Sequence, residues 1–273
     1  MELLALLLAF LLTGYTADML PDIPVDLSAA VSAPAMPEPV APEQVQPDLT
    51  PSADPETALP SASGALSGKS YCIDPGHGIT SQHKQEAVSP LSSETKPAYV
   101  SGASGKQITE EALNLQVAFK LRDKLQSMGA TVIMTRETNE ASVSNIERAQ
   151  IANAAGVNCC IRIHADGVDD SSVHGVSVLI PAGSLLGTPS IAEPSAALGK
   201  LMVNAVAEQT GAKNRGTVER RDMTGFNWSE VNCVLLEMGF LSNPNEEANM
   251  IDPSYQDKIV EGIAQALVQW HAN

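Results

Sequence analysis

The sequence predicts an α/β fold, a three-layer sandwich in which helices flank a mostly parallel, twisted β-sheet. From residue 67 to residue 273, short apolar segments alternate with longer amphipathic segments of helical periodicity, as in chains built from alternating strands and helices. The apolar segments are hydrophobic throughout rather than at alternate positions, which is typical of strands buried on both faces. In open sheets of this kind, ligands bind at the carboxyl ends of the strands.

Each predicted strand is a short apolar run that stops at a polar or turn-forming residue. The first run, 71–73, stops at the sequence Asp-Pro-Gly-His-Gly, residues 74–78. Proline cannot donate a ladder hydrogen bond and glycine permits unusual backbone angles, so we expect a tight turn with His77 at its tip. The further strands are predicted at 131–135, 158–164, 175–180 and 233–236.

The predicted helices show apolar residues on one face and a glycine at or near the end. The first follows Thr109, a candidate N-cap, repeats leucine or valine every fourth residue, and ends at Gly129. The others are predicted at 143–155, 195–209 and 254–271. Residues 79–107 are rich in Ser, Gly, Lys and Gln, and we expect them to form a long surface loop, a kind of segment that is often functional.

The first 66 residues differ in character from the rest. Residues 3–12 form a ten-residue apolar run, the length of a signal-peptide core, so we assign residues 1–17 to a signal peptide or a retained membrane anchor and expect export. Residues 18–66 carry eight carboxylates, no Lys or Arg, and ten prolines between Pro21 and Pro60. This composition predicts a disordered linker, with the folded domain at 67–273.

Charge and cysteine content exclude several functional classes. The net charge is −16, and nine of the 32 acidic residues precede position 67, which leaves 23 acidic against 16 basic residues in the domain. Without a basic patch, nucleic acid is not an expected partner. The four cysteines lie in apolar runs without a C-x-x-C pair, so we expect buried, inert thiols.

Titratable residues end three of the predicted strands, namely His77, His164 and Glu237. Two imidazoles and a carboxylate are a ligand set for catalytic Zn²⁺, and Glu110 or Glu111 at the start of the first helix could supply the carboxylate. Glu237 emerges from an apolar run, so desolvation would raise its pKa and suit it to acid/base work; the alternative is a structural carboxylate paired to Arg162.

Six short motifs follow one another along the domain. They are D-P-G-H-G at 74–78, E-x-x-x-N-L at 110–115, T-R at 135–136, R-x-x-x-A-N at 148–153, I-H-A at 163–165 and E-x-G-F-x-S-N at 237–243. In the order of these motifs, the chain resembles the zinc-dependent N-acetylmuramoyl-L-alanine amidases of the Amidase_3 type, which hydrolyse bacterial peptidoglycan. The resemblance covers residues 68–273.

The resemblance implies a site and a reaction. His77, Glu110 and His164 match the family's zinc ligands, for one Zn²⁺ per chain, and Glu237 matches its catalytic glutamate. The implied substrate is peptidoglycan, cut between N-acetylmuramic acid and L-alanine outside the cytoplasm. The chain departs from the family in its longer segment between His77 and Glu110, and in Asp166 and Arg162 beside the second histidine.

Two alternative functions remain at this stage. The same ligands would permit a zinc peptidase that cuts within the stem peptide, and the fold could serve as a catalytically silent peptidoglycan-binding module. Residues 3–12 could tether the protein to a membrane, and a regulatory or targeting protein is a candidate partner because no repeated wall-binding module is visible. Arg215, Arg220 and Arg221 are either solvated or in contact with stem-peptide carboxylates.

Overall fold

Strands and helices alternate along the part of the chain that the structure describes. The computed structural model describes residues 64–272, so the signal peptide or anchor expected at 1–17, and residues 18–63 of the expected linker, lie outside it. The strands are β1 Ser70–Pro75, β2 Gln85–Ala87, β3 Thr95–Pro97, β4 Thr131–Met134, β5 Cys159–Asp166, β6 Val176–Pro181, β7 Asn214–Arg220 and β8 Asn232–Phe240. The α-helices are α1 Glu110–Ser127, α2 Asn145–Ala155, α3 Ala192–Thr210, α4 Thr224–Asn227, α5 Pro244–Ile251 and α6 Pro253–Ala272, with a 3₁₀ turn at Pro189–Ile191.

Within residues 64–272, a six-stranded sheet has the order β4-β1-β5-β8-β6-β7. All neighbouring strands in it are parallel except β6 and β8, which pair antiparallel. Helices α1, α3 and α6 pack on one face, called the back face here, and the short helices α2 and α4 on the other, the front face. The predicted three-layer α/β sandwich is therefore confirmed.

The back face carries most of the hydrophobic core. Alternate strand residues such as Ile73, Ile163 and Leu236 are fully buried there with the inner faces of α1, α3 and α6. Leu66 is also fully buried in this core, so the folded unit includes it. The four cysteines are free and buried, as expected. No helix within residues 64–272 has the length and apolarity to span a bilayer.

A local sequence signal explains where α2 begins, whereas a backbone contact accompanies the start of α1. Ser144 and Glu147 form a reciprocal capping box at the start of α2, and the left-handed Gly156 ends this helix. Thr109 stands at the N-cap of α1 as predicted, but its side chain makes no capping hydrogen bond. Instead, the amide of Glu110 donates to the carbonyl of Ala103, at 2.9 Å.

Two elements of the structure were not predicted from the sequence. Within the expected surface loop 79–107, β2 and β3 pair as an antiparallel hairpin. Hydrogen bonds from Trp228 Nε1 to the carbonyl of Ala87 and from Asn227 Nδ2 to that of Val88, both 2.9 Å, attach the hairpin to α4 and the residue after it. The strand β7 was not predicted, because its sequence NRGTVER is polar and because, within residues 64–272, β6 is the one strand with which it pairs.

Gly262 allows α6 to cross α3 at close range, which gives a test of the packing. A Cβ added at Gly262 would lie 2.7 Å from the Cα of Val206. Alanine favours a helix over glycine by about 1 kcal/mol, but overpacking against backbone costs about 1–3 kcal/mol. We therefore expect Gly262→Ala to lower the urea unfolding midpoint. Gln269→Ala, on the exposed side of α6, should leave the midpoint unchanged, and a raised midpoint for Gly262→Ala would refute the close crossing.

Candidate metal centre

The turn after β1 presents the His77 side chain in a defined tautomer. His77 is the one non-glycine residue of the described chain with a positive φ, 59°. Its Nδ1 lies 2.7 Å from the carbonyl oxygen of Val100. A carbonyl can only accept a hydrogen bond, so Nδ1 carries the hydrogen and Nε2 keeps its lone pair in the neutral ring. Metal-binding histidines are commonly oriented in this way.

Glu110 brings a carboxylate between the two histidines. It is the first residue of α1 and is buried, and its Oε1 lies 3.2 Å from Nε2 of His77 and 2.9 Å from Nδ1 of His164. The amide of Ala103 donates to its Oε2 at 2.7 Å, and Nδ2 of Asn114 donates to Oε1 at 3.2 Å. The structure thus places Glu110 in the cluster, the choice that the residue pattern alone left open between Glu110 and Glu111.

His164 lies near the end of β5, buried beside Glu110. Its ring packs edge-on against that of His77, with centroids 4.9 Å apart. Gly76 makes room for this ring, because a Cβ there would lie 2.2 Å from its Cε1. Nε2 of His164 is enclosed and has no hydrogen-bond partner among the residues that the structure describes.

The three side chains fit a divalent cation. One ligand atom from each of His77, Glu110 and His164 lies within 4.8 Å of the others. Ligands about 2.0 Å from one tetrahedral Zn²⁺ stand about 3.3 Å apart, close to the separations of 3.2 and 2.9 Å from Oε1. Without a cation, His77 could donate to Glu110 only as the imidazolium, because the hydrogen on Nδ1 already bonds to Val100.

Burial and the contacts with Glu110 shift the pKa values of all three side chains in the cluster. Burial lowers the pKa of His164 to about 4, against the opposing effect of Glu110, so this imidazole is neutral at pH 7. Burial also lowers the pKa of His77, but the hydrogen bond and charge of Glu110 outweigh it and raise the pKa overall. Burial would raise the pKa of Glu110, yet the hydrogen bonds to His164 and His77 hold it well below its usual range. The neutral imidazole of His164 and the ionised carboxylate of Glu110 are therefore in the forms that bind metals.

Glu237 faces the cluster from the next strand. In the register of β5 and β8 it pairs with His164, and Ser177 of β6 pairs with it from the other side. One of its oxygens, Oε2, is enclosed without a hydrogen-bond partner in the described part of the chain. Burial, and then the charges of Glu110 and Asp166, raise its pKa well above the ordinary value. The structural alternative is not realised, because Arg162 pairs with Asp74 instead.

A buried ionic network beneath the turn holds His77 in place. Asp74 is fully buried, and its Oδ1 and Oδ2 accept from Arg148 at 2.6 Å and Arg162 at 2.7 Å. Arg148 also donates to the carbonyl of His77 at 2.6 Å. Arg136 donates to the carbonyls of the two residues before His77, at 2.9 and 2.8 Å. These donors occupy the backbone acceptors of the turn and so stabilise its left-handed conformation.

Sequence reasoning did not assign this network, although a signal for it was present. Asp74 directly follows one apolar run and Arg162 interrupts another, and opposite charges within buried strands are expected to pair. The structure pairs these two residues in register across β1 and β5. Arg148 and Arg136 lie in α2 and after β4, and the pattern does not reveal which buried carboxylate or carbonyl they reach.

The cluster opens into a cleft of about 360 Å³, here called the metal cleft. It is lined by residues 101–103, at the end of the segment that carries the β2–β3 hairpin, and by residues 165–167. Glu237 lines the same cleft. A substrate in the cleft could thus contact the histidines, Glu110 and Glu237 together.

The family model and the relatives that match this chain are amidases by description. The family model described as N-acetylmuramoyl-L-alanine amidase, Amidase_3, matches residues 72–269. The probable cell wall amidase LytH of Staphylococcus epidermidis is 26% identical over 78% of this chain and 62% of its own length. The N-acetylmuramoyl-L-alanine amidase LytC of Bacillus subtilis is 26% identical over 75% of this chain and 36% of its own. The chain thus spans less than two thirds of these two relatives.

A solved structure extends the likeness to the fold. The crystal structure of the N-acetylmuramyl-L-alanine amidase Ami1 from Mycobacterium smegmatis superimposes with a TM-score of 0.69 at 25% identity. The match covers 76% of this chain and 98% of that chain.

The Asp74 network gives a prediction for stability and its pH dependence. Arg148 and Arg162 outweigh the effect of burial and hold the pKa of Asp74 far below its unfolded value of about 3.9. A depressed carboxyl pKa stabilises the fold above the unfolded pKa, and this contribution is lost as the pH falls below it. Asp74→Asn leaves two guanidinium groups underpaired, so we expect a loss of about 3–5 kcal/mol at pH 7.

Urea unfolding at pH 7, 4 and 3 measures both effects. The parent should lose stability steeply below about pH 4, and Asp74→Asn should lose less over that interval. The control is Asp123→Asn, which removes an exposed ion pair with Arg122 and should cost less than about 1 kcal/mol. Parental stability in Asp74→Asn at pH 7 would contradict the assigned network.

Proposed function

Because the chain belongs to the family of N-acetylmuramoyl-L-alanine amidases, we propose that it hydrolyses the amide bond between N-acetylmuramic acid and L-alanine in bacterial peptidoglycan. The observation that carries this proposal is the position of Glu237. A carboxylate of raised pKa lies in register with His164, at the edge of a cleft that also holds His77 and Glu110.

In this proposal His77, Glu110 and His164 hold one Zn²⁺ per chain. A bound Zn²⁺ would act as a Lewis acid. It would polarise a carbonyl oxygen and lower the pKa of a water molecule towards about 7. The chain contributes to this through the Val100 carbonyl, which fixes the His77 tautomer, and through Asn114 and the Ala103 amide, which orient the Glu110 carboxylate.

In this proposal Glu237 transfers a proton from the attacking water to the leaving amine. Its Oε2 has no hydrogen-bond partner in the described chain, so no internal donor competes for it. The raised pKa brings the carboxyl closer to the range in which it can both accept and release a proton near neutral pH. Glu237 takes a proton from the attacking water and then gives it to the amine of L-alanine as the amide carbon–nitrogen bond breaks. The muramoyl carboxylate and a free amino terminus are the products.

We also propose roles for the residues that precede the catalytic domain. Peptidoglycan lies outside the cytoplasmic membrane, so we propose that residues 1–17 direct export, as a signal peptide or an anchor. Residues 18–63 would then link this segment to the catalytic domain. A stem-peptide peptidase would use the same ligands, and the products distinguish it from an amidase.

The metal content of purified protein tests the ligand set. We expect about one zinc per chain in the parent by elemental analysis after dialysis, and a loss of most of it in His77→Ala and His164→Ala. His174→Ala is the matched control, because His174 is exposed and lies outside the cluster. Full zinc content in both ligand variants would disprove the proposed metal site, whatever their activity.

Digestion of purified peptidoglycan tests the reaction and the role of Glu237. The parent should release L-alanine amino termini without shortening the stem peptide. Glu237→Ala should retain zinc and lose activity by about 10²- to 10⁴-fold, the usual contribution of a general acid/base. The exposed Glu230→Ala should digest like the parent. Parental digestion by zinc-loaded Glu237→Ala would reject the mechanism, and shortened peptides would identify a peptidase.

A further inference from the structure

A second concave region, called the β7 groove here, adjoins the metal cleft. It has a volume of about 510 Å³, and its floor includes Ser177 and Leu179 of β6 and Val218 of β7. The metal cleft and the β7 groove share Asp166 and Glu237. Glu237 therefore stands where the two regions meet, with the metal cluster on one side and β7 on the other.

The side of the groove formed by β7 is basic. Lys213, Arg215 and Arg220 line it, whereas the domain as a whole has 23 acidic and 16 basic residues. The acidic side chains of the groove, Asp166 and Glu237, lie at the end that it shares with the metal cleft. The β7 groove is thus negative at its catalytic end and positive along β7.

The arginines are positioned rather than freely solvated. The guanidinium of Arg215 lies 5.1 Å from the centroid of the Phe240 ring, and its Nη1 donates to the carbonyl of His174 at 3.2 Å. In the described part of the chain, Arg215 forms no ion pair. Arg220 forms an ion pair with Asp222 through two hydrogen bonds, at 3.0 and 3.1 Å, which orient its guanidinium. Positioned guanidinium groups are well suited to bind carboxylates.

We infer that the β7 groove binds the stem peptide on the leaving-group side of the scissile amide, and that Arg215 and Arg220 recognise a carboxylate of that peptide. This inference rests on the proposed function. Glu237 must give its proton to the departing amine, so the amine lies next to Glu237. The acyl side of the amide then lies towards His77, Glu110 and His164, and the peptide continues beyond Glu237 into the β7 groove.

The chemistry of the two halves of the substrate supports this orientation. The lactyl carboxyl of N-acetylmuramic acid is consumed in the amide, so the sugar side is uncharged at that point. The stem peptide carries free carboxylates close to L-alanine. Within the lining of the two regions, the basic side chains belong to the β7 groove, and the metal cleft has only the two imidazoles. Arg215 and Arg220 therefore act as specificity-determining residues for an anionic peptide.

The experiment compares two soluble muramoyl dipeptides, one with a free carboxylate on the residue after L-alanine and one with that carboxylate amidated. Calorimetric binding to zinc-loaded Glu237→Ala avoids turnover. We expect the carboxylate form to bind about tenfold more tightly, a typical gain from a charge-assisted hydrogen bond at a partly exposed site. In the same background, Arg215→Gln and Arg220→Gln should each reduce this preference at least threefold.

Arg221→Gln is the matched control. Arg221 is the next residue along the chain, but its side chain lies beside Gly183 and does not line the groove. Its replacement should leave the tenfold preference intact. Equal binding of the two dipeptides, or an equal loss of preference in Arg221→Gln, would overturn the inference.

Cleavage of the same dipeptides by the zinc-loaded parent separates this inference from the proposed function. Binding preference without cleavage would support the β7 groove and reject the amidase reaction. Cleavage without any preference for the carboxylate, in binding or in kcat/KM, would support the reaction and overturn the inference. Urea midpoints of the three arginine variants should match the parent, because these side chains are on the surface or only half-buried.

Discussion

The buried charge of Asp74 is the constraint on which the geometry of the site depends. Asp74 has no exposed surface, and it is stable as an anion only because Arg148 and Arg162 hold its two oxygens. Arg148 donates hydrogen bonds both to this carboxylate and to the carbonyl of His77. Arg148 therefore both compensates the buried charge and holds the His77 turn, so folding and the orientation of His77 depend on the same side chain.

The alternation of side chains along a strand explains how one sheet supports both a core and a site. On β5, Ile161 and Ile163 are buried in the back-face core, and Arg162 and His164 therefore point to the front face. The register between β5 and β8 then brings Glu237 beside His164, although 72 positions separate them in the chain. A slip of one residue would turn Glu237 into the back-face core, where no partner could compensate its charge.

How far the sequence predicted this structure depended on how local each signal is. His77, His164 and Glu237 could be found because each follows an apolar run that is buried on both faces. The edge strand β7 and the β2–β3 hairpin were missed, because β7 is mostly exposed and the hairpin's side-chain contacts are largely with distant segments. Arg148 was visible in a motif, but its partner Asp74 could be known only from the packing of α2 on β1.

Residues that were predicted from the sequence and residues that were missed lie on either side of Glu237. Strand β8, which the sequence predicted, carries Glu237, the carboxylate that we propose transfers the proton, and β7, which it did not predict, carries the two arginines of the β7 groove. A domain with a net negative charge repels an anionic polymer over most of its surface. Attraction is then concentrated where Lys213, Arg215 and Arg220 lie, next to the acidic end of the groove. Opposite charges at the two ends of one groove favour a single orientation of a polar substrate. We therefore attribute selection of the substrate's direction to β7 and the chemistry to β1, β5, β8 and the start of α1.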